Sequence, residues 1–356
     1  MARLTAISAS CACCPSYPPF HTHTNSDKMR HPIPCLAACI ALMAVATSCY
    51  QDIDLDKYKG QEGENMLTLN SIVNPDSTVA VAATRTYFYS DDHPDHDYVT
   101  GLDIALYING EPRGTLTYSE NRHLYMSTVK PLEGDEVELR TVYDSKPVSC
   151  KGIIPHKISI ESIDASVRGP LYVYTGSDYI VSYEVTFTDP ADEENYYFLQ
   201  YDKTSHMLPG ITMGERDFTD EYVFQQLARR INAVVPGWEP YCPYGLPFSD
   251  YGIDGETHTL LVKEILQTDG WSFPPSNTEV TMPRKFMLYA ISRDYYEYLV
   301  SVLYNDPLSD GLHGGMVDIG VSEPMKYYNN IDGGVGVLGT YSLDTKDLDV
   351  MPLLRR

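Results

Sequence analysis

Glu136-Val137-Glu138-Leu139-Arg140-Thr141-Val142-Tyr143 alternates residue by residue, so an extended chain here buries one face and wets the other. Upstream, Asp103-Ile104-Ala105-Leu106-Tyr107-Ile108 runs into Asn109-Gly110. That dipeptide is the strongest short hairpin signal, because both residues tolerate the left-handed backbone of a tight turn. Thr115 to Tyr118 reads as the returning strand. Further back, Met66 to Val73 is a strand, Asn74-Pro75-Asp76-Ser77 supplies turn chemistry, and Thr78 to Tyr89 is rich in Val, Thr and aromatic residues. Short strands at this spacing, with no helical interval, predict a sandwich of about seven strands over 65–155.

Ile153-Ile154-Pro155 marks a seam, and a second β-rich domain is expected over 156–356. Ile158-Ser159-Ile160, Tyr179 to Thr188, Asn195 to Tyr201 and Thr257 to Ile265 carry its strand patterning. Two stretches break the pattern. Glu221 to Val235 places Phe224, Leu227, Ala228, Ile231, Val234 and Val235 on one helical face. Asp220 and Glu221 open it, and Arg229 and Arg230 close it, as the helix dipole favours. Ile291 to Tyr304 puts Ile291, Tyr295, Leu299 and Val302 on a second stripe behind Ser292. Both read as faces packed on a sheet. The expected class is therefore mainly β: an N-terminal immunoglobulin-like β-sandwich, then a β-rich domain with one or two short helices.

The N-terminal residues carry an address. Arg30 precedes an apolar run, Ile33 to Thr47, of about fifteen residues, short of the roughly 20 that span a bilayer. Ala46-Thr47-Ser48-Cys49 follows, and then the acidic Asp52, Asp54 and Asp56. This is the layout of a lipoprotein signal, which with the segment upstream of it occupies 1–48, with lipidation at Cys49 and an acidic tether over 49–64. Leu36-Ala37-Ala38-Cys39 is a competing site, but the apolar run continues past it. Residues 1–28 precede the signal, and Met29 is the expected start. The Asp-x-Asp-x-Asp of the tether lacks the glycine and the twelfth-position glutamate of a calcium loop; Lys57 and Gly63 stand there.

The chain holds 49 acidic against 26 basic residues, a formal charge of −23. Phosphate backbones repel such a surface, so nucleic acid is excluded as a partner. Tyr is abundant at 29, against 9 Phe and 2 Trp. Most of these rings suit half-buried sheet positions. Tyr172, Tyr174, Tyr241 and Tyr244 are the candidates for flat contacts to a glycan or peptide ligand. In an oxidising compartment Cys150 and Cys242 form a possible disulfide.

Chemical motifs are sparse. Gly334-Val335-Gly336-Val337-Leu338-Gly339 spells a dinucleotide fingerprint, but no helix-forming stretch follows it and the acidic residue due downstream has no place. Its glycines instead let a strand kink or another backbone come close. His93-Pro94-Asp95-His96, with Asp91, Asp92 and Asp97, reads as a polar hairpin tip, since Pro94 opposes the helix that would pair two ligands. No metal, cofactor or catalytic set is expected.

Several segments, in order, resemble one family. They are Leu69 to Asp76, Lys151-Gly152-Ile153-Ile154-Pro155, Phe187-Thr188-Asp189-Pro190 leading to Asn195-Tyr196-Tyr197, Ile291 to Tyr298, and Asn329 to Gly339. Together they resemble the Bacteroidota outer-membrane lipoproteins that carry domain of unknown function 4249, with Ala46 where that family's lipobox has a larger aliphatic residue. The resemblance implies a lipid-anchored outer-membrane protein, facing the cell surface, that partners a TonB-dependent transporter as a non-enzymatic accessory or capture subunit. A surface glycan- or peptide-degrading hydrolase, and an envelope adhesin or scaffold, are the alternatives.

Overall fold

The computed structural model describes residues 65–87, 97–173, 176–202, 211–218, 220–233, 245–268, 281–305 and 326–354. The chain is mainly β, with three helices among the described residues. All of these residues fall within one compact unit, Tyr58–Arg356.

The first layers form from strands whose alternation matches their burial. β1 (Leu67–Val73) pairs antiparallel with β2 (Ala80–Arg85). Asn74 closes the connection by accepting the Asp76 N–H at 2.9 Å. β3 (Ala105–Ile108) and β4 (Glu111–Thr115) form the expected hairpin. Asn109 and Gly110 sit at φ 54° and 77°, both left-handed as a type I′ turn requires. The return starts directly at Glu111, not at Thr115, and β4 is exposed throughout. Thr117–Ser119 (β5) instead pairs with β6 (Leu124–Met126) in the opposing sheet. β7 (Glu136–Tyr143) and β8 (Lys146–Ile153) meet through Asp144 and Ser145, again at positive φ. The β4-β3-β7-β8 sheet faces β1, β2 and β6 across a mostly aliphatic core that includes Leu69, Val81, Leu106, Val137 and Leu139.

The second set packs differently. β9 (Ser162–Val173), β10 (Gly176–Thr188), β12 (Ile211–Asp217) and β14 (Thr257–Thr268) form one sheet, in the order β12-β14-β10-β9. β11 (Tyr196–Asp202), β13 (Leu246–Ser249) and β15 (Pro283–Ile291) join the final strand, β16 (Val335–Asp349), in another. Helix α1 (Tyr222–Asn232) is capped by Glu221 and buries Val223, Phe224, Leu227 and Ile231, close to the expected stripe. Helix α2 (Arg293–Tyr304) is capped by Ser292. It buries Tyr296, Val300, Ser301 and Leu303, one position over from the expected stripe, and leaves Val302 at its surface. A short third helix, α3 (Met351–Leu354), was not expected.

β16 links the two cores. Its first part runs parallel to β1, from Val335 opposite Thr68 to Thr340 opposite Val73. Its second part runs antiparallel to β15, from Tyr341 opposite Ile291 to Asp349 opposite Pro283. The glycine-rich segment is thus a strand that makes a close backbone approach. Gly336 sits at φ 119°, and a Cβ there would overlap the Leu69 carbonyl oxygen. A Cβ on Gly339 would lie 2.9 Å from the Tyr295 ring. Asn330 seals the strand's free side: its amide donates to Leu338 O at 3.0 Å and its carbonyl accepts Leu338 N–H at 2.9 Å. Ile331 and Leu338 thereby join the core of the first sandwich.

Candidate functional site

The segment between β8 and β9 has no regular hydrogen-bonding partner strand, so its backbone groups need side chains. β16 supplies them. Thr340 Oγ1 donates to Ile153 O at 2.5 Å, Ser342 Oγ donates to Pro155 O at 2.6 Å, and Asp344 accepts the Ile160 N–H at 2.8 Å. Thr340 and Ser342 are buried by this arrangement. Beside the pinned segment, the β10–β11 loop and the start of α2 leave an open cleft of about 700 Å³. Ile154, Ile158, Pro190 and Ile291 give it apolar walls, and Glu136, Glu193, Glu194, Asp294, Lys151 and Arg293 line it with charge. Lys151 is taken up by Glu136 at 3.3 Å. Asp294 accepts the Tyr328 hydroxyl at 2.5 Å, which, after burial, pushes that phenol up to about 12.

A second recess, of about 370 Å³, adjoins the first and shares Glu194 and Tyr196 with it. Tyr196, Tyr251 and Tyr296 line it together with Asp250, Arg230 and Glu297. Tyr196 and Tyr296 lie 4.8 Å apart, and Tyr251 is 66% exposed. Burial, then the bond its hydroxyl donates to Glu194 at 3.1 Å, pushes the Tyr196 phenol up to about 12. Arg230 is clamped by both Glu297 oxygens at 3.3 and 2.5 Å, with its guanidinium 5.5 Å from the Tyr296 ring centre.

Behind this recess three carboxylates converge. Ligand-capable atoms of Asp189, Asp250 and Asp254 lie within 4.8 Å of one another. Each already accepts hydrogen bonds: Asp189 from the Tyr197 hydroxyl and from Gly255 N–H at 3.0 Å, Asp250 from Asn195 N–H at 2.7 Å, and Asp254 from Asp192 N–H at 3.1 Å. Burial first, then mutual repulsion, holds Asp189 and Asp250 above the usual carboxylate range. These three residues are the set that could hold a cation, and their existing bonds lock the β10–β11 loop to the turn after β13.

The expected site residues are placed as follows. Cys150 is a buried free thiol in β8, and burial pushes it up to about 12. Its possible disulfide partner Cys242 lies outside the described residues, as do Cys49, Tyr174, Tyr241, Tyr244 and the His93–His96 cluster. Tyr172 falls in β9, opposite Ser177. The tyrosines that meet at a recess are Tyr196, Tyr251 and Tyr296, which sequence reasoning did not select. The signal that points there is the family resemblance, whose segments include Asp189, Asn195-Tyr196-Tyr197 and, within Ile291 to Tyr298, Tyr296.

The family model described as Domain of unknown function (DUF4249) matches residues 51–347, and the chain belongs to that family. No curated protein matches it. Among solved structures it is similar to a glycosyl hydrolase family 2 member from Bacteroides cellulosilyticus, at 11% identity and a TM-score of 0.18, over 66% of this chain and 24% of that one. A putative membrane anchored protein from Corynebacterium diphtheriae matches at 9% identity and TM-score 0.19, over 64% of this chain and 55% of the other. A beta-glycosidase from Bacteroides vulgatus matches at 10% and 0.19, over 64% and 23%. The chain thus spans between about a quarter and just over half of the length of these structures. Among the described residues, no helix is long and apolar enough to cross a membrane.

Proposed function

We propose that this DUF4249 protein is an outer-membrane lipoprotein, anchored through Cys49 and facing the cell exterior, that captures a ligand for a TonB-dependent transporter without chemically altering it. The observation that carries this reading is the open cleft beside the pinned Ile153–Ile160 segment, which shares Glu194 and Tyr196 with the tyrosine-walled recess. Concave sites with mainly apolar walls and a few fixed polar groups are where ligands bind. Here the walls come from segments of both halves of the chain, and the polar pins from β16 hold the β8–β9 segment beside them. The lipoprotein signal and the acidic segment after Cys49, both read from the sequence, support an anchored, outward-facing cleft.

Purification of the full chain from outer membranes tests the reading. Mass spectrometry is expected to find an acylated Cys49 at the mature N-terminus and a TonB-dependent transporter in the co-purified complex. A chain without fatty acids, or a complex without a transporter, overturns it. Release of cleaved glycan or peptide products by the purified chain would replace capture with hydrolysis.

A further inference from the structure

We propose that the recess walled by Tyr196, Tyr251 and Tyr296 is a subsite for a lysine or arginine side chain, belonging to a peptide that lies in the adjoining cleft. The assignment rests on the capture reading and narrows its ligand to one chemical class.

The recess already holds one cation by the chemistry it would use for another. Arg230 sits over the Tyr296 ring while both Glu297 oxygens grip its guanidinium. Aromatic faces attract cations through their quadrupole, and a carboxylate at the ring edge adds charge-assisted hydrogen bonds. Beside that satisfied pair, Glu194 and Asp250 line the same recess, and neither meets a lysine or arginine among the described residues. Asp250 also lies against the Asp189 and Asp254 carboxylates. The Tyr251 ring, 66% exposed, supplies an open face next to these acids.

Charge separates this ligand from a neutral sugar. Sugar hydroxyls would hydrogen-bond to Glu194 and Asp250 but leave their charge uncompensated. An ammonium or guanidinium compensates it and lies flat on Tyr251. The formal charge of −23 steers cations towards the whole surface. The apolar walls of the cleft, Ile154, Ile158 and Ile291, suit the neighbouring side chains of an extended peptide.

The test is selection of an N-acetylated random hexapeptide library on the full chain, in parallel with an array of neutral oligosaccharides. The expected result is enrichment of Lys or Arg at one position. Replacing a selected Arg with its neutral isostere citrulline should weaken binding about tenfold, the worth of one charged hydrogen bond. Asp250→Asn and Tyr251→Ala should each erase the preference; Tyr251 is exposed enough that its loss spares the fold. Peptide binding without a basic preference overturns the subsite and leaves capture standing. Binding of neutral oligosaccharides in place of peptides overturns the peptide assignment. Binding of neither class overturns the capture reading itself.

Discussion

The two cores of this chain solve the same packing problem with different materials. The first is filled almost wholly by aliphatic side chains, with Tyr125 its one fully buried aromatic residue among the described residues. The second buries Tyr183, Tyr197, Tyr201, Phe187, Phe218, Phe224, Phe248 and Phe286. It also encloses charge. Arg284 reaches both oxygens of Glu264 at 2.9 and 3.2 Å, and the Tyr183 hydroxyl donates to Glu264 at 2.7 Å. Glu221 accepts the Leu261 N–H at 2.7 Å and lies 3.0 Å from His258 Nε2, tying α1 to β14. An aliphatic core needs only the right alternation. An aromatic core with buried charges needs every polar tip to be met, so its stability depends on contacts between residues far apart in sequence.

β16 serves both, and breaking it should erase the distinction. Gly336→Ala forces a side chain into the Leu69 carbonyl at a φ that L-residues rarely adopt. The expected cost is on the order of 3 kcal/mol or more, with both halves of the chain losing hydrogen-exchange protection together. Protection lost in the first sandwich alone would show that the cores are independent and that β16 is not their common element.

The buried ion pair sharpens the contrast. Arg284→Met leaves Glu264 charged and enclosed, which should cost about 3–5 kcal/mol by denaturant unfolding. Arg284→Met, Glu264→Met and Tyr183→Phe combined should recover most of that loss, because the buried charge is removed together with the two side chains that bond to it here. If the triple variant were as unstable as the single one, the pair itself, rather than the stranded charge, would carry the stability. The matching change in the first core is smaller. Tyr125 donates its hydroxyl to Val99 O at 3.0 Å and accepts Leu102 N–H at 2.9 Å. Tyr125→Phe should cost about 1–2 kcal/mol, read as a shift of the same denaturant midpoint.

The same contrast explains what could be read from the residues in order. β1, the Asn109-Gly110 hairpin and β7 follow from alternation and turn chemistry, which are local. The β7–β8 turn was missed because Asp144-Ser145 lacks the glycine that usually marks left-handed turn positions. β15 was missed for a different reason: Arg284 occupies an inward position, so the apolar face is interrupted by a charge whose partner, Glu264, lies on another strand. The second part of β16 carries Asp344, Lys346, Asp347 and Asp349, which disguise a strand as a loop. The candidate site was least legible. Its walls come from segments near residues 134–158, 190–196 and 290–294, and no spacing in the sequence shows that they meet. Lys151 to Pro155, Pro190, Asn195-Tyr196 and Ile291 to Asp294 lie on those walls and belong to the segments of the family resemblance, but nothing in the segments marks them as parts of one site.

The smallest expected effect concerns pH. Asp250 binds its proton more tightly in the folded chain than in the unfolded one, because burial, then Asp189, Asp254 and Glu194, penalise its charge. Its ionisation therefore opposes folding. The penalty is absent below the ordinary carboxylate range and fully present once pH exceeds the raised folded value. Asp250→Asn removes the penalty while keeping an oxygen to accept the Asn195 N–H. At neutral pH the variant should gain stability, by less than about 1 kcal/mol, and the gain should vanish as pH falls into the range where Asp250 is protonated in both states. An equivalent change at Glu138 of the first sandwich runs the other way. Its bidentate bond to Arg140, at 2.6 and 2.7 Å, holds that carboxylate below its usual value. Its ionisation favours folding, and Glu138→Gln should lose stability at neutral pH. Thermal unfolding of both variants across the acid range distinguishes the two halves by the sign of the slope, and slopes of the same sign would mean that acid placement does not set them apart.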